Sequence, residues 1–136
     1  MSYIRYKNKN LFVENVPVKR LASRLSTPFY LYSEGNITEN YKLFFNNFKK
    51  SKPLICFSVK ANSNIQILKV LKKMGSGADV VSGGELLKAI KSGIKPNKIV
   101  FSGVGKTEEE IKLAIRKNIL LINVESENEA VLINKI

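Results

Sequence analysis

From residue 28 onward the chain alternates short β-branched runs with amphipathic stretches. Apolar runs bounded by turn residues predict strands over residues 28–32, 54–59, 78–81, 99–101 and 119–124. Between them the apolar positions switch to a helical period. Ile65, Leu68 and Leu71 recur every third residue, and Ile111, Ala114 and Ile115 fall at i, i+3 and i+4. The stretch 38–48 places Tyr41, Phe44, Phe45 and Phe48 on one face, which predicts a helix with its aromatics in the core.

The helix starts are legible. Ser63 with Gln66, Ser82 with Glu85, Thr107 with Glu110 and Ser126 with Glu129 all have capping-box spacing, in which a hydroxyl accepts from an amide three residues on. Gly93 and Pro96 stop one helix ahead of the strand at Ile99. The last four predicted strands start about 20–25 residues apart, a pitch that means parallel strands joined by right-handed helical crossovers. An open doubly wound sheet and a closed eightfold barrel both use it. A complete barrel takes about 250 residues, whereas this chain supplies four to five units before ending in a helical pattern at Ile136. The α/β fold expected is therefore either an open sheet or part of a barrel. Residues 1–27 stand outside the repeat: LFVENVPV predicts a short strand and residues 17–25 a helix. The expected division is a leading segment, 1–27, and the βα repeat, 28–136.

Composition narrows the classes. The chain has 136 residues, 44% of them apolar and 25% charged, values of an ordinary globular domain rather than a disordered one. Aliphatic runs such as residues 119–122 fall far short of the ~20 needed for a helical span, so no membrane association is expected. MSYIRYKNKN lacks the apolar stretch of ~7–15 residues that a secretory signal needs, which makes the cytoplasm the expected location. Cys56 is the single cysteine and histidine is absent. No internal disulfide, no zinc site of the N/S type and no Ser-His or Cys-His pair can be built, and no metal is expected. Cys56 itself reads as a small core residue.

The net charge of +12 invites a nucleic-acid reading. Its distribution opposes one: 19 of the 23 basic residues are Lys, four are Arg, and the lysines are spread along the whole chain. The densest knot, Lys49, Lys50 and Lys52, ends a predicted helix, where the macrodipole favours cations. Two phosphate-loop look-alikes also fail. SGVGKT at 102–107 would need a glycine where Val100 stands, and GSGADV at 75–80 has Val80 at its third glycine position and precedes a strand.

PLICFSVKANSN, residues 53–64, is different: an apolar run predicts a buried strand with Lys60 at its C-terminal end. In a barrel that end is the active-site face. Flanked by Phe57, Val59 and Ala61, Lys60 would lose hydration, which favours a free amine able to condense with a carbonyl. From position alone, a strand-end lysine reaching into water is the simpler reading.

CFSVKANSN, GSGADVVSGGEL, IVFSGVGKT and INVESENE, preceded by TPFYLYSEGNITENY, resemble in order and spacing the N-terminal part of the diaminopimelate decarboxylase family. The resemblance runs from about Leu11 to the end of the chain, and Ser58 departs from it where the family often has Ala. It implies a partial (β/α)8 barrel of the alanine-racemase-like type that binds pyridoxal 5'-phosphate (PLP), with a separate β domain beyond this chain. It implies decarboxylation of meso-2,6-diaminopimelate to lysine and CO2, a small amino-acid substrate, a homodimer, and an N-terminal portion inactive alone. Lys60 then matches the lysine that holds PLP as an internal aldimine. Asp79 matches an acidic residue near that lysine and the cofactor, and Glu85 a carboxylate near the same site, although a capping role with Ser82 explains Glu85 equally well. A related ornithine, arginine or carboxynorspermidine decarboxylase, or a PLP-binding barrel without catalysis, is the alternative.

Overall fold

The computed structural model describes residues 3–136. They form two compact units, one ending at Phe44 and one running Phe45–Ile136.

In the first, β1 (Ile4–Lys7), β2 (Asn10–Val13) and β3 (Val16–Pro17) make an antiparallel sheet in that order. The stretch predicted as one strand, LFVENVPV, is instead part of a hairpin, broken at Glu14, which takes a left-handed φ of 55°. The β1–β2 turn has positive φ at both Asn8 and Lys9, 48° and 61°. Such turns are usually marked by Asn-Gly, and Lys9 stands where that glycine would have signalled β1. Helix α1 (Val18–Ala22) is shorter than the predicted 17–25.

No strand forms over 28–32, and Tyr30, Leu31 and Tyr32 are exposed. Strand structure requires a partner ladder, and a run of β-branched and aromatic residues carries no information about whether a partner exists. Helix α2 (Glu34–Phe48) starts four residues before the predicted stretch. Ser33 caps it, its Oγ accepting from the Asn36 N–H at 2.9 Å. The expectation of a buried aromatic face is corrected: Tyr41 and Phe45 are half-buried, and Phe44 and Phe48 are 53% and 51% exposed. A helical stripe tells which face is apolar and not what covers it.

The second unit holds the last four predicted strands of the βα repeat and the helices that follow them. β4 (Cys56–Ser58), β5 (Gly77–Val80), β6 (Ile99–Phe101) and β7 (Leu121–Ile122) form a parallel sheet in sequence order. Helices α3 (Ile65–Lys73), α4 (Gly83–Lys91), α5 (Glu108–Arg116) and α6 (Glu127–Lys135) follow the four strands in turn. Ser82, Thr107 and Ser126 cap as predicted, each accepting from the amide three residues on. At α3 the cap is Asn64 rather than Ser63, with its side chain accepting from the Gln66 N–H. Asn62 accepts from the Asn64 N–H just before it, a local side-chain turn that delays the helix by one residue.

The two faces of this sheet differ, as strand alternation requires. Ala78, Val80, Ile99 and Phe101 point to one side and are fully buried with Val59, Leu68, Leu86, Ala89 and Ala114 of the covering elements. The opposite face carries Cys56, Ser58, Asp79, Val100 and Leu121, all of them half-buried or exposed. Polar chemistry is thus confined to one side of the sheet.

Candidate functional site

Register fixes the site. Ser58, the last residue of β4, pairs with Asp79 on β5, and Asp79 pairs with Val100 on β6. Val100 in turn pairs with Leu121 on β7. Two residues on from Val100 and Leu121, just past the ends of β6 and β7, come Ser102 and Asn123. The four polar residues form one bonded row. Ser102 Oγ donates to Asp79 Oδ1 at 2.6 Å, Ser58 Oγ reaches Asp79 Oδ2 at 3.4 Å, and Asn123 Nδ2 donates to Ser102 Oγ at 2.9 Å. Asp79, the only aspartate of the sequence, therefore has both carboxylate oxygens engaged, one by a short charge-assisted bond and one by a long bond.

Lys60 lies in a single 3-10 turn, Val59–Ala61, directly after β4. The expectation of a desolvated strand-end lysine is corrected: Lys60 is exposed. The strand ends at Ser58, and Val59, rather than Lys60, takes the buried place against the helices. The turn carries Lys60 out at the C-terminal end of the sheet, two residues beyond the partner of Asp79. Lys60 and Asp79 thus share one end of adjacent strands. Among the described residues no hydrogen bond or ion pair links Lys60, Asp79 and Glu85.

Glu85 serves the backbone. Its Oε2 accepts from the Val81 N–H at 2.9 Å, while its own N–H donates to Ser82 Oγ at 3.2 Å. Cys56 sits on the polar face, one pleat below Ser58. Burial pushes its thiol pKa up and the Asp79 charge adds to that, against a smaller opposing effect of Lys98. The thiol is thereby held away from its nucleophilic form.

Next to the polar row lies Lys106, whose side chain is fully buried. Its Nζ donates to the carbonyls of Gly103 and Asn123, both at 2.7 Å, and pairs with Glu129 Oε1 at 2.9 Å. It also stands 5.9 Å from the centre of the Phe101 ring. Ser102, Asn123 and Lys106 were not singled out from the sequence as site residues. The signal available for two of them was the SGVGKT string, which carries a side-chain network rather than a phosphate loop.

Among the described residues no group of three His, Cys, Asp or Glu could hold a metal ion. No helix is long and apolar enough to cross a membrane.

Residues 34–136 match the family model described as pyridoxal-dependent decarboxylase, pyridoxal binding domain. The chain is 46% identical to a diaminopimelate decarboxylase of Aquifex aeolicus over 98% of its own length and 31% of the relative's. It is 52% identical to one of Helicobacter pylori over 79% of its length and 27% of the relative's. Its fold matches a crystal structure of the diaminopimelate decarboxylase of M. jannaschii in complex with L-lysine. That match has a TM-score of 0.93 and 39% identity, and covers 97% of this chain and 32% of the other. The chain spans about a third of the length of the curated relatives it matches.

Proposed function

The chain belongs to the pyridoxal-dependent decarboxylase family, through its pyridoxal-binding domain, and from that membership we propose that it carries the PLP-bearing lysine of a diaminopimelate decarboxylase. The observation that supports this reading is the position of Lys60: an exposed amine at the C-terminal end of a parallel sheet, beside the strand that holds Asp79. The names of the relatives support the substrate, meso-2,6-diaminopimelate, with lysine and CO2 as products.

The donor set fits an aldehyde cofactor. A primary amine is within reach of solvent, and the polar face beside it offers one carboxylate held by two hydroxyls. When bound, PLP supplies an electron sink for the charge left by departing CO2. The residues of this chain do the rest by position. Lys60 would hold the aldehyde cofactor through its side-chain nitrogen and could hold or return a proton at that atom. Asp79 stands at the same end of the neighbouring strand, and its two hydroxyl partners hold its carboxylate in one orientation. Glu85 braces the backbone at the start of α4, where it keeps the loop after Asp79 in shape. The further parts of the reading, a cytoplasmic homodimer that takes an amino-acid substrate, rest on the family alone.

The test uses the full-length protein that contains this chain. PLP addition is expected to produce a visible absorption band of lysine-bound cofactor, together with CO2 release from meso-2,6-diaminopimelate. Lys60→Ala should abolish both. A band that persists in Lys60→Ala, or turnover of other diamino acids and not of this one, would overturn the assignment.

A further inference from the structure

Lys106 is an expensive residue. Burying an ammonium costs several kcal/mol unless every proton finds an acceptor, and here the three N–H groups meet three oxygens, those of Gly103, Asn123 and Glu129. A loop staple alone could be built from neutral groups. The acceptors point to what the charge achieves, because one of them belongs to Asn123, a member of the polar row.

Ser102 has one hydroxyl proton. That proton goes to Asp79 Oδ1, since a carboxylate only accepts, and the Ser102 oxygen in turn receives a hydrogen from Asn123 Nδ2. Where Ser102 Oγ stands against Asp79 therefore depends on how the main chain is held at Ser102 and Asn123. The main chain of Asn123 is held by Lys106 through its carbonyl, and its N–H donates to the Phe101 carbonyl at 2.8 Å. Lys106 also holds the carbonyl of Gly103, the neighbour of Ser102, and Gly103 N–H donates to Glu125 Oε1 at 3.0 Å. Both ends of the Asn123–Ser102 bond are thereby fixed by one buried cation.

We propose that Lys106 is a positioning residue for the cofactor site: by fixing the main chain at Gly103 and Asn123 it directs the Asn123–Ser102–Asp79 hydrogen bonds and so sets the orientation of the Asp79 carboxylate. The inference rests on the reading of Lys60 and Asp79 as the PLP site. It adds a residue that acts on that site through Asp79.

The test is a double-mutant cycle in the full-length protein, read by the PLP dissociation constant and by the visible circular dichroism of bound PLP, which reports its orientation. Lys106→Met and Asn123→Ala are each expected to weaken PLP binding about tenfold and to change the dichroism in the same sense. In an Asp79→Asn background the further loss from either should fall below about twofold, since the route to the cofactor is already cut. Asn123 is exposed, so Asn123→Ala keeps the test open should Lys106→Met fail to fold. Undiminished effects in the Asp79→Asn background would overturn the proposal, as would variants that lose thermal stability with binding and dichroism unchanged. Absence of any Lys60-dependent band in the unmutated protein removes the cofactor reading and the relay with it. A Lys60-dependent band that both variants leave unmoved removes the relay alone.

Discussion

Glu110 on α5 accepts a 2.7 Å hydrogen bond from the backbone N–H of Gly83, the first residue of α4, while its other oxygen closes the cap of its own helix at Thr107. One carboxylate thus satisfies orphan amides at two helix N-termini. The sequence pattern announced the second of these bonds and was silent on the first. A single helix cap is worth about 0.5–2 kcal/mol. Glu110→Ala should therefore lower unfolding stability by about 1–2 kcal/mol, measured by urea denaturation of the full chain. Glu110→Gln, which keeps the shape and loses the charge, should lower it by less. A change below about 0.3 kcal/mol in Glu110→Ala, within ordinary surface scatter, would contradict the double-cap role.

The same carboxylate makes stability acid-sensitive. The Gly83 N–H first, and then the Thr107 N–H, hold the Glu110 pKa below the ordinary glutamate range, against a smaller effect of burial. A group whose folded pKa is depressed contributes stability that is complete above its unfolded pKa and is lost as pH falls through the folded one. Acid titration of the native protein should show a loss of stability below the ordinary glutamate range. In Glu110→Gln that loss should be smaller, measured as the difference in urea midpoint between neutral and acid pH. An equal acid loss in the two proteins would show that other carboxylates carry it.

Gly77 opens β5 where the sheet has no room for a side chain. A Cβ there would collide with the Lys98 carbonyl oxygen and come within 2.8 Å of Cys56 Sγ. The obstruction by Lys98 is backbone and cannot rotate away, so the strand itself would have to shift. Gly77→Ala should destabilise by about 1–3 kcal/mol, the range of overpacking. Gly105, with open space around its position, serves as the control, and Gly105→Ala should have little effect by the same thermal measurement. Equal effects of the two substitutions would refute the packing argument.

What the sequence made legible was local and periodic. Ser82, Thr107 and Ser126 announced their helices because a cap is written within four residues. The strand at Ile99–Phe101 was read to the residue, since Gly93 and Pro96 fix where it begins and its apolar run ends at Ser102. Lys60 and Asp79 were named from the resemblance alone, and the parallel pitch explains why they lie at the ends of adjacent strands. What stayed hidden depends on partners distant in sequence. The burial of Lys106 is set by carbonyls 3 and 17 residues away and a carboxylate 23 away, and no local pattern specifies such a meeting. The exposure of Lys60 was missed for a smaller reason. A one-turn change of backbone after Ser58 exchanges the fates of Val59 and Lys60, and hydrophobicity alone cannot place that turn.

The two hydroxyls on Asp79 are unequal, and the difference can be read by mutation. Ser102 Oγ stands at 2.6 Å, a short bond to a charged acceptor, whereas Ser58 Oγ at 3.4 Å lies at the far edge of bonding distance. Bonds to charged groups contribute about 1.5–3 kcal/mol and stretched ones far less. Ser102→Ala should therefore lower stability by about 1.5–3 kcal/mol, because it leaves Asp79 Oδ1 and Asn123 Nδ2 without their partner. Ser58→Ala should change stability by no more than about 0.5 kcal/mol, which matches the alanine that the resemblance to the decarboxylase family leads one to expect at this place. Thermal unfolding of both variants in the full-length protein checks the ordering. Should Ser58→Ala prove the more damaging, the short bond would not be what holds Asp79, and the polar row would need to be read from the β4 side instead.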